Sequence, residues 1–118
     1  MTHFDSETLD RNQWDAMLLS IPQLSARDKR NFEAVLHVLL SGMAWEDFPE
    51  EEFGMSFRTP WNRYRHWQQT GLWPLMLQAY CSTLPEAMQH SWKARMFQAE
   101  EHRLRRSGSR KRAALEKA

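Results

Sequence analysis

Apolar residues recur every three or four positions along most of the chain, and this spacing predicts α-helices. Ser25 stands where a capping residue is preferred at the start of one such helix, and Gly42 stands where a glycine often ends one. The stripe between them consists of Phe32, Val35, Leu36, Leu39 and Met43. No stretch alternates apolar and polar residues as a half-buried strand does. The pattern therefore predicts an all-α protein of five or six helices.

A first helix and a loop are predicted on either side of this central helix. Asp10 can cap a helix over residues 11–20, and Pro22 ends it because proline cannot continue a helix. A short turn is predicted at residues 45–48. The acidic sequence of residues 49–54 then predicts a solvated connecting loop.

A basic, aromatic helix follows this loop. Thr59 is a suitable N-cap for it, and Pro60 occupies the first helical position, where a missing N–H is tolerated. Gly71 is placed to end the helix. A further apolar helix is predicted over residues 72–84, and a long terminal helix over residues 86–106.

The outer face of the basic helix has the composition of a DNA-reading surface. Trp61, Tyr64 and Trp67 recur at three-residue steps and are expected to point inward. Side chains of the types left outside reach base edges and phosphates when their helix follows a turn. These candidate DNA-facing residues are Asn62, Arg63, Arg65, His66 and Gln69. The alternative is a surface helix with a solvated polar face, and the residues alone leave the two interpretations about even.

The terminal helix carries a narrow apolar stripe that predicts a contact surface. Its candidate protein-interface residues are Met88, Trp92, Met96 and Phe97. Such a stripe packs on the rest of the domain, on a second copy of the chain or on another protein. A long helix with one apolar seam favours a homodimer. Residues 1–9 and the basic tail, residues 107–118, are polar and are predicted to be flexible.

The charges are divided unequally between the two halves of the chain. Residues 1–57 hold eleven acidic and four basic side chains, whereas residues 58–118 hold four acidic and twelve basic ones. The total is +1. This division indicates either a polyanionic partner for the basic half or two oppositely charged faces.

Composition predicts a cytoplasmic protein that binds a partner rather than catalysing a reaction. Cys81 is the only cysteine, and the sequence contains neither a secretory signal nor an apolar run long enough to span a membrane. His37 interrupts an apolar run and is interpreted as a histidine at the rim of the core. No spacing typical of a zinc site, a phosphate-binding glycine loop or a catalytic carboxylate pair occurs. We therefore expect no enzyme activity, no metal and no cofactor.

Three sequence blocks occur in an order that resembles the N-terminal domain of IS4/IS5-type insertion-sequence transposases. The blocks are LDRNQWDAMLLSIP, NFEAVLHVLLSGMAWEDFPEEEFG and TPWNRYRHWQQTGLWPLMLQAY, within residues 9–84. The motif residues that carry the resemblance are Leu9, Gln13, Trp14, Gly42, Trp45, Asp47, Phe48, Pro49, Phe53, Gly54, Thr59, Arg63, Tyr64, Trp67, Gly71 and Trp73. The resemblance implies a helix-turn-helix-like bundle whose basic helix faces DNA.

The resemblance also implies a division of the chain into segments. Residues 10–84 would be the transposase N-terminal-like domain, and residues 85–106 an added amphipathic helix. In this family an RNase H-like catalytic domain with three spaced carboxylates follows the N-terminal domain. The 118 residues end before such a domain, so we expect a binding module without transposition activity.

A second resemblance suggests a function in transcription regulation. In size and general sequence character the chain is similar to QslA-like quorum-sensing anti-activators. That similarity implies binding to, and inhibition of, a LuxR-type (LasR-like) transcription activator. The first hypothesis is therefore an anti-activator that acts by protein–protein interaction. The second is a helix-turn-helix-like DNA-binding repressor or a catalytically dead transposase remnant. Residue chemistry alone leaves the first and second hypotheses nearly level.

Overall fold

The computed structural model describes the backbone of residues 9–117 and the side chains of residues 9–103. Helices account for all the regular structure in the described backbone, which contains no strand. A 3₁₀ turn at Trp45–Asp47 lies between the second and third helices. The helices are α1 (Arg11–Ser20), α2 (Ala26–Ser41), α3 (Glu50–Phe53), α4 (Arg58–Gln69), α5 (Leu72–Cys81) and α6 (Glu86–Lys117). The all-α prediction is confirmed.

Helix α2 is the centre of the bundle. It packs against both α4 and α6, while α5 packs against α1, α4 and α6. Phe32, Val35 and Leu36 on α2 are completely buried. A surface helix of a small protein normally buries one stripe, whereas a helix with neighbours on two sides buries a wider face. This explains why nearly every residue from Asn31 to Leu39 is buried.

Trp73 of α5 contacts side chains of α2, α4 and α6. The Trp73 ring lies 5.6 Å from Phe32 of α2 and 4.9 Å from Tyr64 of α4, both edge to face. It also stacks on Trp67 of α4 at 6.1 Å. Its indole Nε1 donates a hydrogen bond of 2.8 Å to Oε1 of Glu100 on α6. Aromatic pairs in these arrangements contribute beyond the area that they bury, so Trp73 stabilises the positions of α2, α4 and α6 together.

The start of α1 is capped as predicted and is also bound to the turn that follows α5. The Asp10 carboxylate accepts a 2.8 Å hydrogen bond from the Gln13 backbone N–H, and the Gln13 side chain accepts one from the Asp10 N–H. The same glutamine donates to the Thr83 hydroxyl at 3.0 Å. Leu9 was grouped with the flexible residues 1–9, but it is buried in the core. The remaining residues of that predicted segment, 1–8, lie outside the described residues.

The acidic segment before α4 is helical, which differs from the predicted loop. Residues Glu50–Phe53 form the one-turn helix α3, which ends at Gly54 with a φ of 69°. The Phe53 ring packs 4.8 Å from Phe48, and Glu50 accepts a 2.7 Å hydrogen bond from the Phe57 N–H. Because this carboxylate binds the backbone just before α4, the helix begins at Arg58 with Phe57 as its N-cap residue, and not with Thr59.

His37 lies at the rim of the core, as interpreted from the sequence. Its imidazole is 5.7 Å from the Phe53 ring, and the side chain is partly buried. Burial lowers the pKa of His37 below its usual value, and the nearby Glu52 carboxylate opposes that shift.

The last two helices differ from their predicted bounds in opposite directions. Helix α5 ends at Cys81 rather than at residue 84, whereas α6 continues to Lys117, through most of the tail that was predicted to be flexible. The tail is rich in Arg, Lys and Ala, which favour helix. Arg103 also anchors α6 to the end of α2, since its guanidinium donates to the carbonyls of Val38, at 3.2 Å, and Met43.

The two tryptophans at the start and end of α4 should differ in their effect on stability. Trp67 is fully buried against Trp73, so Trp67→Ala should lower the free energy of unfolding by about 3–5 kcal/mol. Trp61, predicted to point inward as well, is only partly buried and lies under the Arg65 guanidinium at 4.8 Å. Trp61→Ala should therefore lower it by about 1 kcal/mol. Urea denaturation followed by circular dichroism measures both, and equal losses would contradict this core assignment.

Candidate nucleic-acid interface

The outer face of α4 is a polar surface on a tightly packed support. Tyr64 and Trp67 are buried beneath the helix. Burial raises the pKa of the Tyr64 phenol to about 12, and the Glu100 carboxylate adds to that shift, so the phenol is neutral at ordinary pH. The exposed side chains beyond the first turn are Asn62, Arg65, His66, Gln68 and Gln69, and Arg58 and Thr59 are exposed in the first turn. Four of the five predicted DNA-facing residues therefore lie together on one accessible helix face.

Arg63, the fifth, is partly used within the protein. Its Nη2 atom forms a 3.0 Å ion pair with Oδ1 of Asp28, and 39% of its side chain remains exposed. Its guanidinium also lies 5.3 Å from the centre of the Trp67 ring. Asp28 is buried and accepts a second hydrogen bond, 2.8 Å long, from the Ser25 backbone N–H. Arg63 therefore joins α4 to the start of α2, in addition to facing outward.

A cleft of about 470 Å³ lies where the start of α2 meets α4. Arg27, Thr59 and Asn62 contribute exposed hydrogen-bond donors to its walls. Arg63 Nε and Asn31 Oδ1 are buried in the same region without hydrogen-bond partners. Donors from arginine, threonine and asparagine are the groups that contact phosphate oxygens in protein–DNA complexes. The cleft therefore continues the polar surface of α4 toward the first turn of α2.

Two arginines of α4 lie over aromatic rings while remaining exposed. The Arg65 guanidinium is 4.8 Å from the Trp61 ring, and the Arg58 guanidinium is 5.8 Å from the Phe57 ring. Cation–π contacts of this kind restrict a long side chain without removing its charge from solvent. Arg65 is therefore partly ordered in advance of any contact with an anion.

The connection that leads into α4 resembles a helix-turn-helix turn. Four residues, 54–57, join α3 to α4, and the first of them is Gly54 in a left-handed conformation. A turn of three or four residues, often containing glycine, is typical of that motif. The helix before the turn is only Glu50–Phe53, so the support for α4 comes mainly from α2 and α5.

The family comparison supports the resemblance found in the sequence. A family model described as "Putative transposase of IS4/5 family (DUF4096)" matches residues 9–77. The chain belongs to this transposase family. No curated protein and no solved structure gives a significant match to it.

The transposase-family match covers the part of the fold that carries the polar surface. Helices α1 to α4 and the first part of α5 lie within the matched residues, and α6 lies outside them. In the part of the chain that the structure describes, no helix is both long and apolar enough to cross a membrane.

The four predicted protein-interface residues of α6 do not form one surface. Trp92 and Met96 are 9% and 3% exposed and belong to the core of the same chain. The Trp92 ring packs edge to face on Tyr80 at 5.0 Å. Met88 and Phe97 are 53% and 69% exposed, but nine residues separate them, which places them on opposite flanks of the helix. The prediction of a continuous interface stripe is therefore corrected to a core stripe with an exposed apolar residue on each flank.

Five residues of the cleft were not predicted as part of a site: Ser25, Arg27, Asp28, Asn31 and Thr59. Three of them, Arg27, Asp28 and Asn31, lie on the first turns of α2. These residues lie about 35 positions before Arg63 in the sequence, so no local sequence pattern indicates that they are near it. Only the packing of α4 across α2 brings them together.

The structure separates the roles of the two arginines, and stability measurements should show this. Arg63→Ala leaves the buried Asp28 carboxylate without its cationic partner, so the free energy of unfolding should fall by about 1–3 kcal/mol. Arg65→Ala changes only an exposed side chain and should alter it by about 0.5 kcal/mol or less. Adding Asp28→Asn to Arg63→Ala should restore part of the loss. Equal stability of the two single variants in urea denaturation would contradict a structural role for Arg63.

Proposed function

We propose that the chain is a DNA-binding module of the IS4/5 transposase family that reads duplex DNA through the outer face of α4. This is a non-enzymatic role, as a repressor or as a transposase remnant that retains binding. The observation that supports it best is the exposed set of Asn62, Arg65, His66 and Gln69 on a helix whose other face is fully packed. A rigid helix with such a face can enter the major groove of DNA.

The side-chain types on α4 fit the donor and acceptor pattern of base edges. Arginine pairs with the O6 and N7 atoms of guanine, and asparagine or glutamine pairs with the N6 and N7 atoms of adenine. Asn62, Arg65 and Gln69 are spaced three and four residues apart, so they follow one another along the same face of the helix. The proposed contacts would therefore read several neighbouring base pairs.

The cleft beside α4 is suited to the DNA backbone. Phosphate contacts fix the position of a protein on DNA, while base contacts give specificity. Arg27, Thr59 and the exposed part of Arg63 would bind phosphates next to the groove that α4 enters. Since Asp28 is already paired with Arg63, its charge repels a phosphate less than a free carboxylate would.

The acidic residues restrict the orientation of the DNA. Glu51 and Glu52 are exposed on α3, and Glu46 and Asp47 are exposed on the 3₁₀ turn. Like charges repel, so the DNA would approach α4 from the side of Arg27 and Asn62 rather than across this acidic connection. The proposed function places the chain in the cytoplasm, together with chromosomal DNA.

Substitution of an exposed arginine on α4 should test the DNA proposal. Arg65→Ala should weaken binding to the labelled duplex that wild type selects from a randomised library by about tenfold, since one good arginine–guanine contact contributes about 1–3 kcal/mol. Arg95→Ala is the matched control, because Arg95 is equally cationic and exposed but lies on α6. Fluorescence anisotropy at about 50 and about 200 mM salt gives the affinity and its salt dependence. Equal effects of the two substitutions, or no binding at the lower salt concentration, would contradict the proposal.

A second proposal is the anti-activator function suggested by the sequence resemblance. It is supported by the exposed Met88 and Phe97, one on each flank of α6, since exposed apolar side chains of this size favour protein contacts. The partner would be a LuxR-type transcription activator. Trp92 and Met96 would contribute only indirectly, by holding α6 in place.

A transcription reporter driven by a LuxR-type activator distinguishes the two proposals. If the chain inhibits the activator directly through one flank of α6, Met88→Glu or Phe97→Glu, whichever lies on that flank, should restore transcription by about tenfold or more, because it puts a charge into an apolar contact. Arg65→Ala should then retain full inhibition. Inhibition that is lost in Arg65→Ala but kept in both glutamate variants would contradict the anti-activator proposal and favour DNA binding.

A further inference from the structure

An apolar groove lies between α5 and α6, and none of its lining residues belongs to α4. Its volume is about 320 Å³, and its apolar lining includes Leu77, Cys81, Trp92 and Met96. The last three are buried core residues, so the groove opens directly onto the core. Apolar surface of this kind is stabilised when another apolar group excludes water from it.

The edge of this groove on α6 combines an aromatic ring with two opposite charges. Phe97 is 69% exposed beside the groove, although a side chain of its size is commonly buried. Lys93 lies four residues before Phe97 and Glu100 lies three residues after it, and both also line the groove. These three side chains therefore lie along one flank of the helix, with the aromatic ring between the charges.

We propose that a second copy of the chain covers this groove, through antiparallel pairing of the two α6 helices. The two-fold axis would pass between Met96 and Phe97. In an antiparallel pair centred there, position 93 of one helix faces position 100 of the other, because the two positions are equally distant from the centre. Lys93 of each copy would then meet Glu100 of the other, and the same patch would serve both copies, as a two-fold interface requires.

The centre of this pairing would bury the exposed aromatic ring. Each Phe97 would lie close to the axis and cover the groove of the other copy. Glu100 can make the new ion pair without losing its intramolecular contact, since Trp73 uses only its Oε1 atom. An apolar centre with a charged rim is the usual arrangement of protein interfaces.

Charge complementarity favours a second copy over the other possible occupants. Duplex DNA is a poor occupant, because the groove is mostly apolar and carries Glu100. A transcription activator would need an acidic and a basic group at the matching distance, whereas a second copy provides both from the same helix. The dimer does not depend on the DNA-binding proposal, because none of its residues lies on α4.

Exchange of the two charges provides a direct test. Wild type at about 100 µM should have twice the 14.1 kDa mass of one chain in light scattering, since a small helix pair predicts a micromolar dissociation constant. Lys93→Glu alone and Glu100→Lys alone should each remain monomeric, because like charges would then face each other in both of the 93–100 contacts between the two copies. An equimolar mixture of the two variants should form a dimer, since both contacts then join opposite charges. A monomeric wild type, or a mixture that stays monomeric while both variants are folded, would overturn the proposal.

Two controls keep the result interpretable if a variant folds poorly. Arg95→Glu makes the same charge change as Lys93→Glu, but Arg95 is exposed on the other side of α6 and should leave the dimer intact. Circular dichroism and thermal melting show whether Glu100→Lys folds after losing the Trp73 hydrogen bond. If it does not, Phe97→Glu decides: a folded monomer supports the interface, and a dimer with wild-type affinity overturns it.

Discussion

The positions of α2, α4 and α6 relative to α5 depend on the contacts of Trp73. Its ring packs against Phe32 of α2 and against Tyr64 and Trp67 of α4, and its indole N–H is bound by Glu100 of α6. One side chain thus joins the helix with the candidate DNA-reading face to the helix with the apolar groove. Because protein cores are packed as densely as organic crystals, a displacement of Trp73 would move both surfaces. The outer face of α4 is presented rigidly for this reason, although its own residues make few contacts within the protein.

The ion pair between Arg63 and Asp28 gives α4 a second attachment, at the edge of the core. A buried carboxylate needs compensation, and Asp28 receives it from the Arg63 guanidinium and from the Ser25 N–H. Arg63 is consequently less available for an external anion than the exposed Arg65. The arrangement separates support from recognition: Arg63 orients the helix, and Asn62, Arg65 and Gln69 stay accessible. A basic residue in a candidate DNA-binding helix is therefore not necessarily a base contact.

Local signals predicted much of the fold, and long-range contacts account for what they missed. Asp10 and Gly42 are capping residues, and the bounds of α1 and α2 agree with the prediction because such signals act within one turn. The family resemblance is confirmed over residues 9–77. Helix α3 was missed because Phe48 and Glu50 stabilise it through contacts outside the turn itself. The partner of Arg63 was missed because it lies 35 positions earlier in the chain. The periodicity of Met88, Trp92 and Met96 showed that α6 has an apolar side, but not whether the same chain covers it.

Helix α6 lies outside the family match and yet is part of the core. Trp92 packs on Tyr80, Glu100 binds Trp73 and Arg103 binds the last carbonyls of α2, so the helix contributes contacts to α2 and α5 along its described length. Burying Trp92 and Met96 in this way directs Lys93 and Phe97 of the neighbouring flank into solvent and leaves Glu100 partly exposed. The residues available for a partner on α6 thus follow from how the helix closes its own core. None of them belongs to the outer face of α4. A partner bound to α6 therefore does not compete with DNA bound to α4, and both surfaces can be occupied at once.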